Sequence, residues 1–285
     1  MEISPDITVN RAHIQGSPFD VVSMRLFATP LRIINGLKHP WGLAVDPIGL
    51  IFVTESKGKQ ISVITPEGER SRITGEKQLF IRQFEQPVSI ALDTNSNLLV
   101  TDVSYSNVQL YTSKGMLVKS VGSVGSKQLQ FTYPVGIKRN ASNGKIYVTE
   151  WEANHRVQIL NPDLSYHGKF GTKGSGKGQF ESPSDVAFDR KGNAYVVDSD
   201  NHRIEVFTAD GRYLREFGRR GTKEGRLYLP SSICIDKDDM VYVTEIENNR
   251  VSIFSKEGHF VKSFGSHGNQ PGHHSQQSTH PRQSF

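Results

Sequence analysis

The sequence predicts an all-β propeller of four-stranded antiparallel blades, and three observations carry that prediction. Five prolines, Pro40, Pro87, Pro134, Pro183 and Pro230, recur at spacings of 47, 47, 49 and 47 residues. Each opens a similar phrase: PWGLAVD, PVSIALD, PVGIKRN, PSDVAFD and PSSICID. Four apolar runs fill each unit, all short, alternating or β-branched and bounded by turn residues, which is the pattern of strands and hairpins rather than of a helical period. Self-similarity at this period describes blades.

Taken in order, the first run of each unit ends at Asp46, Asp93, Asn140, Asp189 or Asp236, the chemistry of a hairpin turn. The second run reads LIFVTE, LLVTD, KIYVTE, AYVVD and MVYVTE, and closes on an acid at Glu55, Asp102, Glu150, Asp198 and Glu245. The third run reads QISVIT, VQLYT, RVQIL, RIEVF and RVSIF, and the fourth is clearest as MLVKSVG, YHGKFG, YLREFG and HFVKSFG. A lone sheet of this kind has two apolar faces, so each blade must be buried between neighbours.

Composition narrows the function classes. The chain has 285 residues and a formal net charge of +5, too small an excess for a polybasic nucleic-acid tail acting as a whole. No window approaches the roughly 18 apolar residues of a membrane span. The single cysteine, Cys234, lies between Ile233 and Ile235, so no intrachain disulfide forms and the thiol is expected to pack as a small hydrophobe. The opening Met-Glu-Ile-Ser-Pro-Asp lacks the basic cap and apolar stretch of a secretory signal, and the expectation is a cytoplasmic protein with no membrane partner.

Two motifs carry a family resemblance. Asn154-His155-Arg156-Val157, Asn201-His202-Arg203-Ile204 and Asn249-Arg250-Val251 follow the second runs, and a Gly-x-x-Gly-x-x-x-Gly-Gln-Phe-x-x-Pro linker spans Gly171 to Pro183. Both resemble the NHL repeat, over about residues 37 to 265; Gln60 and Asn107 replace the Arg in the first two units. The stretch from Ala12 to Val21 resembles the closing strand of a filamin-type immunoglobulin domain. That order resembles the C-terminal half of the TRIM-NHL class. The implied organisation is a filamin-type remnant at 1–24, a linker or closing strand at 25–36, an NHL propeller at 37–268 and a disordered tail at 269–285. The resemblance implies a fragment truncated at both ends. It also implies six blades where five repeats are countable.

No Gly-x-Ser-x-Gly, His-Glu-x-x-His or phosphate-loop motif is present, so no catalytic residue, cofactor or metal is assigned. The recurring acids are expected to bond their own turns or the Arg that follows, rather than to ring a cation. His155 and His202 occupy equivalent turns, but the fifth unit has Asn249 there and a third zinc ligand is missing. In a propeller, the linkers between blades share a face with the turns after the second strands. The linker from Gly218 to Pro230 carries Arg219, Arg220, Lys223 and Arg226 against Glu224, and the linker from Gly171 carries Lys173 and Lys177 against Glu181. Tyr105 and Trp151 belong to turns on that face. Cations interleaved with aromatics suit single-stranded RNA and protein hot spots alike.

The expected contact set is Tyr105, Trp151, Arg156, Lys173, Lys177, Arg203, Arg219, Arg220, Lys223 and Arg250. The expected function is a non-catalytic recognition module for protein substrates and/or single-stranded RNA, with no DNA partner. By resemblance it would select targets for a ubiquitin ligase whose RING lies elsewhere. A metal-dependent lyase or hydrolase on an NHL-like propeller and a purely structural scaffold are the competing classes.

Overall fold

The computed structural model describes residues 7–9, 32–73 and 84–267. The filamin-like motif, part of the linker before Pro87 and the tail from residue 268 lie outside them. A short antiparallel pair, β1 (Ile7–Val9) with β2 (Arg32–Ile34), comes first. Each repeat phrase then folds into one four-stranded antiparallel sheet with its strands in sequence order. The first blade is β3 (Pro40–Val45), β4 (Ile51–Glu55), β5 (Gln60–Ile64) and β6 (Arg70–Ile73). The second is β7 (Pro87–Leu92), β8 (Leu98–Asp102), β9 (Asn107–Tyr111) and β10 (Leu117–Val121). The third is β11 (Pro134–Arg139), β12 (Ile146–Glu150), β13 (Arg156–Leu160) and β14 (Tyr166–Phe170). The fourth is β15 (Pro183–Phe188), β16 (Ala194–Asp198), β17 (Arg203–Phe207) and β18 (Tyr213–Phe217). The fifth is β19 (Pro230–Ile235), β20 (Val241–Glu245), β21 (Arg250–Phe254) and β22 (Phe260–Phe264). The described residues thus form a five-bladed propeller without helices.

Local chemistry explains these elements. Proline has no N–H to lose at the first residue of a strand, and in every blade the pairing register shifts just after it. The following turn closes on an acid: Asp46 Oδ1 accepts from the Ile48 and Leu50 amides at 3.1 and 2.8 Å. Asp93, Asp189 and Asp236 repeat the arrangement.

The core lies between blades rather than within them. Phe52, Ile61 and Val63 of the first blade meet Ile90, Leu98 and Val100 of the second. Comparable layers join the second to the third, the third to the fourth and the fourth to the fifth. The linkers add anchors to these layers: Phe131, Phe180 and Leu227 are fully buried. At Gly171 the backbone has φ of +88°, and a Cβ would stand 2.4 Å from the Phe180 ring, so only glycine lets that anchor dock.

Innermost strands pack in succession, β3 on β7, β7 on β11, β11 on β15 and β15 on β19, but β3 and β19 do not pack in this way. This overturns the expected place of Cys234. The equivalent Ala91 and Ala187 are covered by the next blade, whereas Cys234 is exposed on the outer face of the last one. Ile34 and Leu37, just ahead of the first blade, are buried against Val53 and Ile64.

Candidate functional site

The face that carries the candidate residues is held together by one repeated clamp. The turn after the second strand bonds back to the incoming linker, as Val103 N to Gln86 O, Trp151 N to Tyr133 O, Asp200 N to Glu181 O and Ile246 N to Leu229 O, all at 3.0–3.1 Å. The acid ending the second strand completes the clamp. Glu150 accepts from the Thr132 amide at 3.0 Å and Arg156 Nε at 2.6 Å; Asp198 accepts from the Glu181 amide at 2.7 Å and Arg203 Nε at 2.8 Å. Glu245 accepts from the Tyr228 amide at 2.9 Å and Arg250 Nε at 2.7 Å. All five acids are buried and engaged by such donors, as their structural reading requires.

The arginines finish the arrangement. Arg156 donates to the carbonyls of Ser126, Lys127 and Gln130; Arg203 to those of Ser175, Gly176 and Gln179; Arg250 to those of Thr222, Lys223 and Arg226. Their side chains are 5%, 9% and 13% exposed. The expectation that they meet a partner is therefore corrected. A planar guanidinium offers five N–H groups in a fixed fork, and these three spend theirs on converging loop carbonyls. Trp151 is also drawn inward. It packs edge-on against Tyr133 at 6.1 Å and joins Val88, Val103 and Val135.

The histidines of the repeat phrase act between blades. His155 Nδ1 accepts from the Ser182 amide and His202 Nδ1 from the Leu229 amide, both at 3.1 Å. Their backbones are left-handed, with φ of 44° and 58°, as is Asn249 at 49° in the fifth blade. Burial lowers the pKa of both rings, which must stay neutral to accept at Nδ1. The unfolded histidines take up protons near pH 6.5 and the folded ones only lower, so this contribution is intact above 6.5 and lost as pH falls through the folded values. The melting-temperature advantage of the parent over the His155→Asn/His202→Asn variant is expected to shrink from about pH 7.5 to about pH 5.5. A pH-independent difference would remove the neutral-acceptor assignment.

What remains outward is a smaller set. Lys173, Lys177, Arg219, Arg220 and Lys223 are exposed, and Tyr105 is 38% exposed. Lys173 has only a solvent-facing contact with Glu181 at 3.4 Å, which is weak. Arg220 lies 5.0 Å over the Tyr228 ring and donates to its hydroxyl at 3.1 Å; His202 meets the same ring edge-on at 5.4 Å. Tyr228 was missed from the sequence, although the linker reads Leu-Tyr-Leu-Pro where Gln-Phe-x-x-Pro is the norm. Among the described residues no three His, Cys, Asp or Glu side chains gather in a metal-binding arrangement.

The NHL repeat family matches residues 131–160 and 180–207, which contain both Asn-His-Arg phrases and their clamps. The chain carries NHL repeats in its third and fourth blades. Proteins of the TRIM-NHL class are among its relatives. The NHL chain is 27% identical over 124 residues to the protein brain tumor of Drosophila melanogaster, covering 44% of this chain and 12% of that one. It is 25% identical over 130 residues to the human E3 ubiquitin-protein ligase NHLRC1, covering 45% of this chain and 31% of that one. The NHL chain thus spans less than a third of either relative. Among solved structures it is similar to virginiamycin B lyase from Staphylococcus aureus, with a TM-score of 0.59, 20% identity, and coverage of 79% of this chain and 69% of that one. At that identity the likeness concerns the fold alone.

Proposed function

We propose that this NHL propeller is a non-catalytic recognition module that binds protein substrates, and/or single-stranded RNA, through the linker face of its third to fifth blades. One observation carries the reading. After the structural arginines are set aside, five exposed cations remain on two consecutive linkers, one of them stacked on an aromatic ring, and the clamp uses none of their side chains. Arginine and tyrosine held in this way form the anchors of protein interfaces, and the same charge and ring faces suit an RNA strand. A relative named as a ubiquitin ligase supports a target-selecting role in a larger protein. Ubiquitin transfer would then belong to another segment, since one cysteine cannot build a zinc-bearing RING.

The test is capture from lysate on the full chain, with and without ribonuclease, in parallel with Arg219→Glu/Arg220→Glu. The double reversal is expected to weaken the captured partner by about tenfold or more, with an unchanged melting temperature. Ribonuclease-resistant protein capture supports an adaptor, and ribonuclease-sensitive capture with enriched RNA supports RNA recognition. Unchanged affinity in the reversal variant removes the basic face from the site.

A further inference from the structure

The linkers leading into the third, fourth and fifth blades each place one hydroxyl at the same point of the clamp. Ser126, Ser175 and Thr222 give their main-chain oxygens to Arg156, Arg203 and Arg250, at 2.5, 2.9 and 2.9 Å. All three residues are exposed, and among the described residues none of their hydroxyls has a hydrogen-bond partner. The fold thus presents the three alike, and what differs is the sequence ahead of them. Two and three residues before Thr222 stand Arg220 and Arg219, the only Arg-Arg pair in the chain. The same positions hold Lys173 and Thr172 before Ser175, and Val124 and Ser123 before Ser126.

A protein kinase takes its target as an extended segment with a free hydroxyl, and reads the charges beside it with complementary charges of its own. Thr222 meets each requirement. Arg220 lies in a parallel β-bridge with Leu227, closed by Leu227 N on Arg219 O at 3.0 Å and Gly221 N on Leu227 O at 3.1 Å, so the backbone leading to the threonine is extended. Both arginines are exposed, and the contact of Arg220 with Tyr228 is a surface one, readily exchanged. The carbonyls of Gly221 and Thr222 are already taken by Asn248 and Arg250, which leaves the side chains for an enzyme to read. Other hydroxyls that follow an arginine are placed differently. Ser142, three residues after Arg139, donates to Asn140 at 2.8 Å in a hairpin turn of the opposite face, and Ser252, two after Arg250, is fully buried on Glu245.

We propose that Thr222 is a phosphorylation site for an arginine-directed serine/threonine kinase, and that its phosphate closes the basic linker face to anionic partners. The γ-phosphoryl group of ATP passes to Thr222 Oγ1: its bond to the β-phosphate oxygen breaks, ADP leaves, and the hydroxyl proton goes to the kinase's base. Between Gly218 and Pro230 the linker carries Arg219, Arg220, Lys223 and Arg226 against Glu224, a net charge of +3. A phosphate brings about −1.5 to −2 near pH 7, half or more of that excess. The clamp holds Thr222 by its main-chain oxygen alone, so the added charge changes the field of the face without unlocking the loop. The closing of the face rests on the recognition role proposed above; the phosphorylation site does not.

The full chain is incubated with ATP, Mg²⁺ and the catalytic subunit of cyclic-AMP-dependent protein kinase as the probe, and tandem mass spectrometry locates the phosphate. The expected result is phosphate on Thr222 with Ser126 unmodified, and transfer slowed at least about tenfold in Arg219→Ala/Arg220→Ala. Absence of phosphate on Thr222 overturns the proposal, and so does an unchanged rate in the double variant. A peptide of residues 216–228 that is phosphorylated while the folded chain is not also overturns it, because the loop would then be closed to the enzyme. The modified chain, with Thr222→Ala treated alike as control, is then applied to immobilised heparin, an anionic probe of the face. Elution at lower salt with an unchanged melting temperature is expected; unchanged elution overturns the closing of the face. Earlier elution from heparin with undiminished capture from lysate supports the site and removes the basic face from partner recognition.

Discussion

Replacing Arg203 with alanine is expected to destabilise the propeller by about 3–5 kcal/mol, the scale for removing one partner of a buried charge cluster. The guanidinium is the only cation among Asp198, Glu205 and Glu216, with contacts of 2.8, 3.3 and 2.8 Å, and it also binds three carbonyls of the incoming linker. Alanine would leave the fully buried Asp198 without a counter-charge, and would free the linker carbonyls as well. Arg203→Lys should recover only part of the loss, because an ammonium cannot reach a ring of acceptors set out for a planar fork. Urea unfolding of the three proteins checks this. A midpoint unchanged in Arg203→Ala would sink the clamp as the main support of the fourth blade.

The second large effect has the opposite sign. At the third position of the third strand the other blades place Ser62, Gln109, Gln158 and Ser252, all neutral; the fourth places Glu205. Burial pushes its pKa up to about 8 from an ordinary 4.5, despite Arg203 and a hydrogen bond from the Gly178 amide, and its Oε2 has no partner. Below 4.5 both folded and unfolded chains hold this proton. Between 4.5 and about 8 only the folded chain does, so its contribution is lost as pH rises through that window. Glu205→Gln is therefore expected to stabilise the protein by roughly 3 kcal/mol at and above pH 8, and by little near pH 4. Gln158 shows how the amide fits, donating to Glu150 at 2.9 Å and accepting from the Leu129 amide at 3.1 Å. Unfolding measured across that range decides it; a gain independent of pH would place the proton elsewhere.

The blades were legible because their signal is local and repeated. A proline at a fixed period, an Asx turn and an acid closing the second strand each act within a few residues of themselves, and the structure keeps all three. The candidate site was legible only in part. Arg156, Arg203 and Arg250 read as surface charge, since a guanidinium's fate depends on carbonyls 24 to 30 residues away that converge only after the linker folds. Arg219, Arg220 and Lys223 have no such acceptors and stay outside. Cys234 misled for a related reason. Its strand is as apolar as its equivalents, and what differs is that among the described residues no further sheet packs over it, a property of the whole arrangement.

The clamp also bears on how tightly the outer face can hold anything. Glycine-rich loops normally lose much conformational entropy when a partner fixes them, and that loss is subtracted from affinity. Here the Gly218–Pro230 linker is already fixed through Asn248 on Gly221 O and Arg250 on three further carbonyls. Its cations are thus preorganised, and docking on them is close to the meeting of two rigid bodies. Loosening the clamp from beneath, as in Arg250→Lys, would weaken association without altering a single atom that touches the partner.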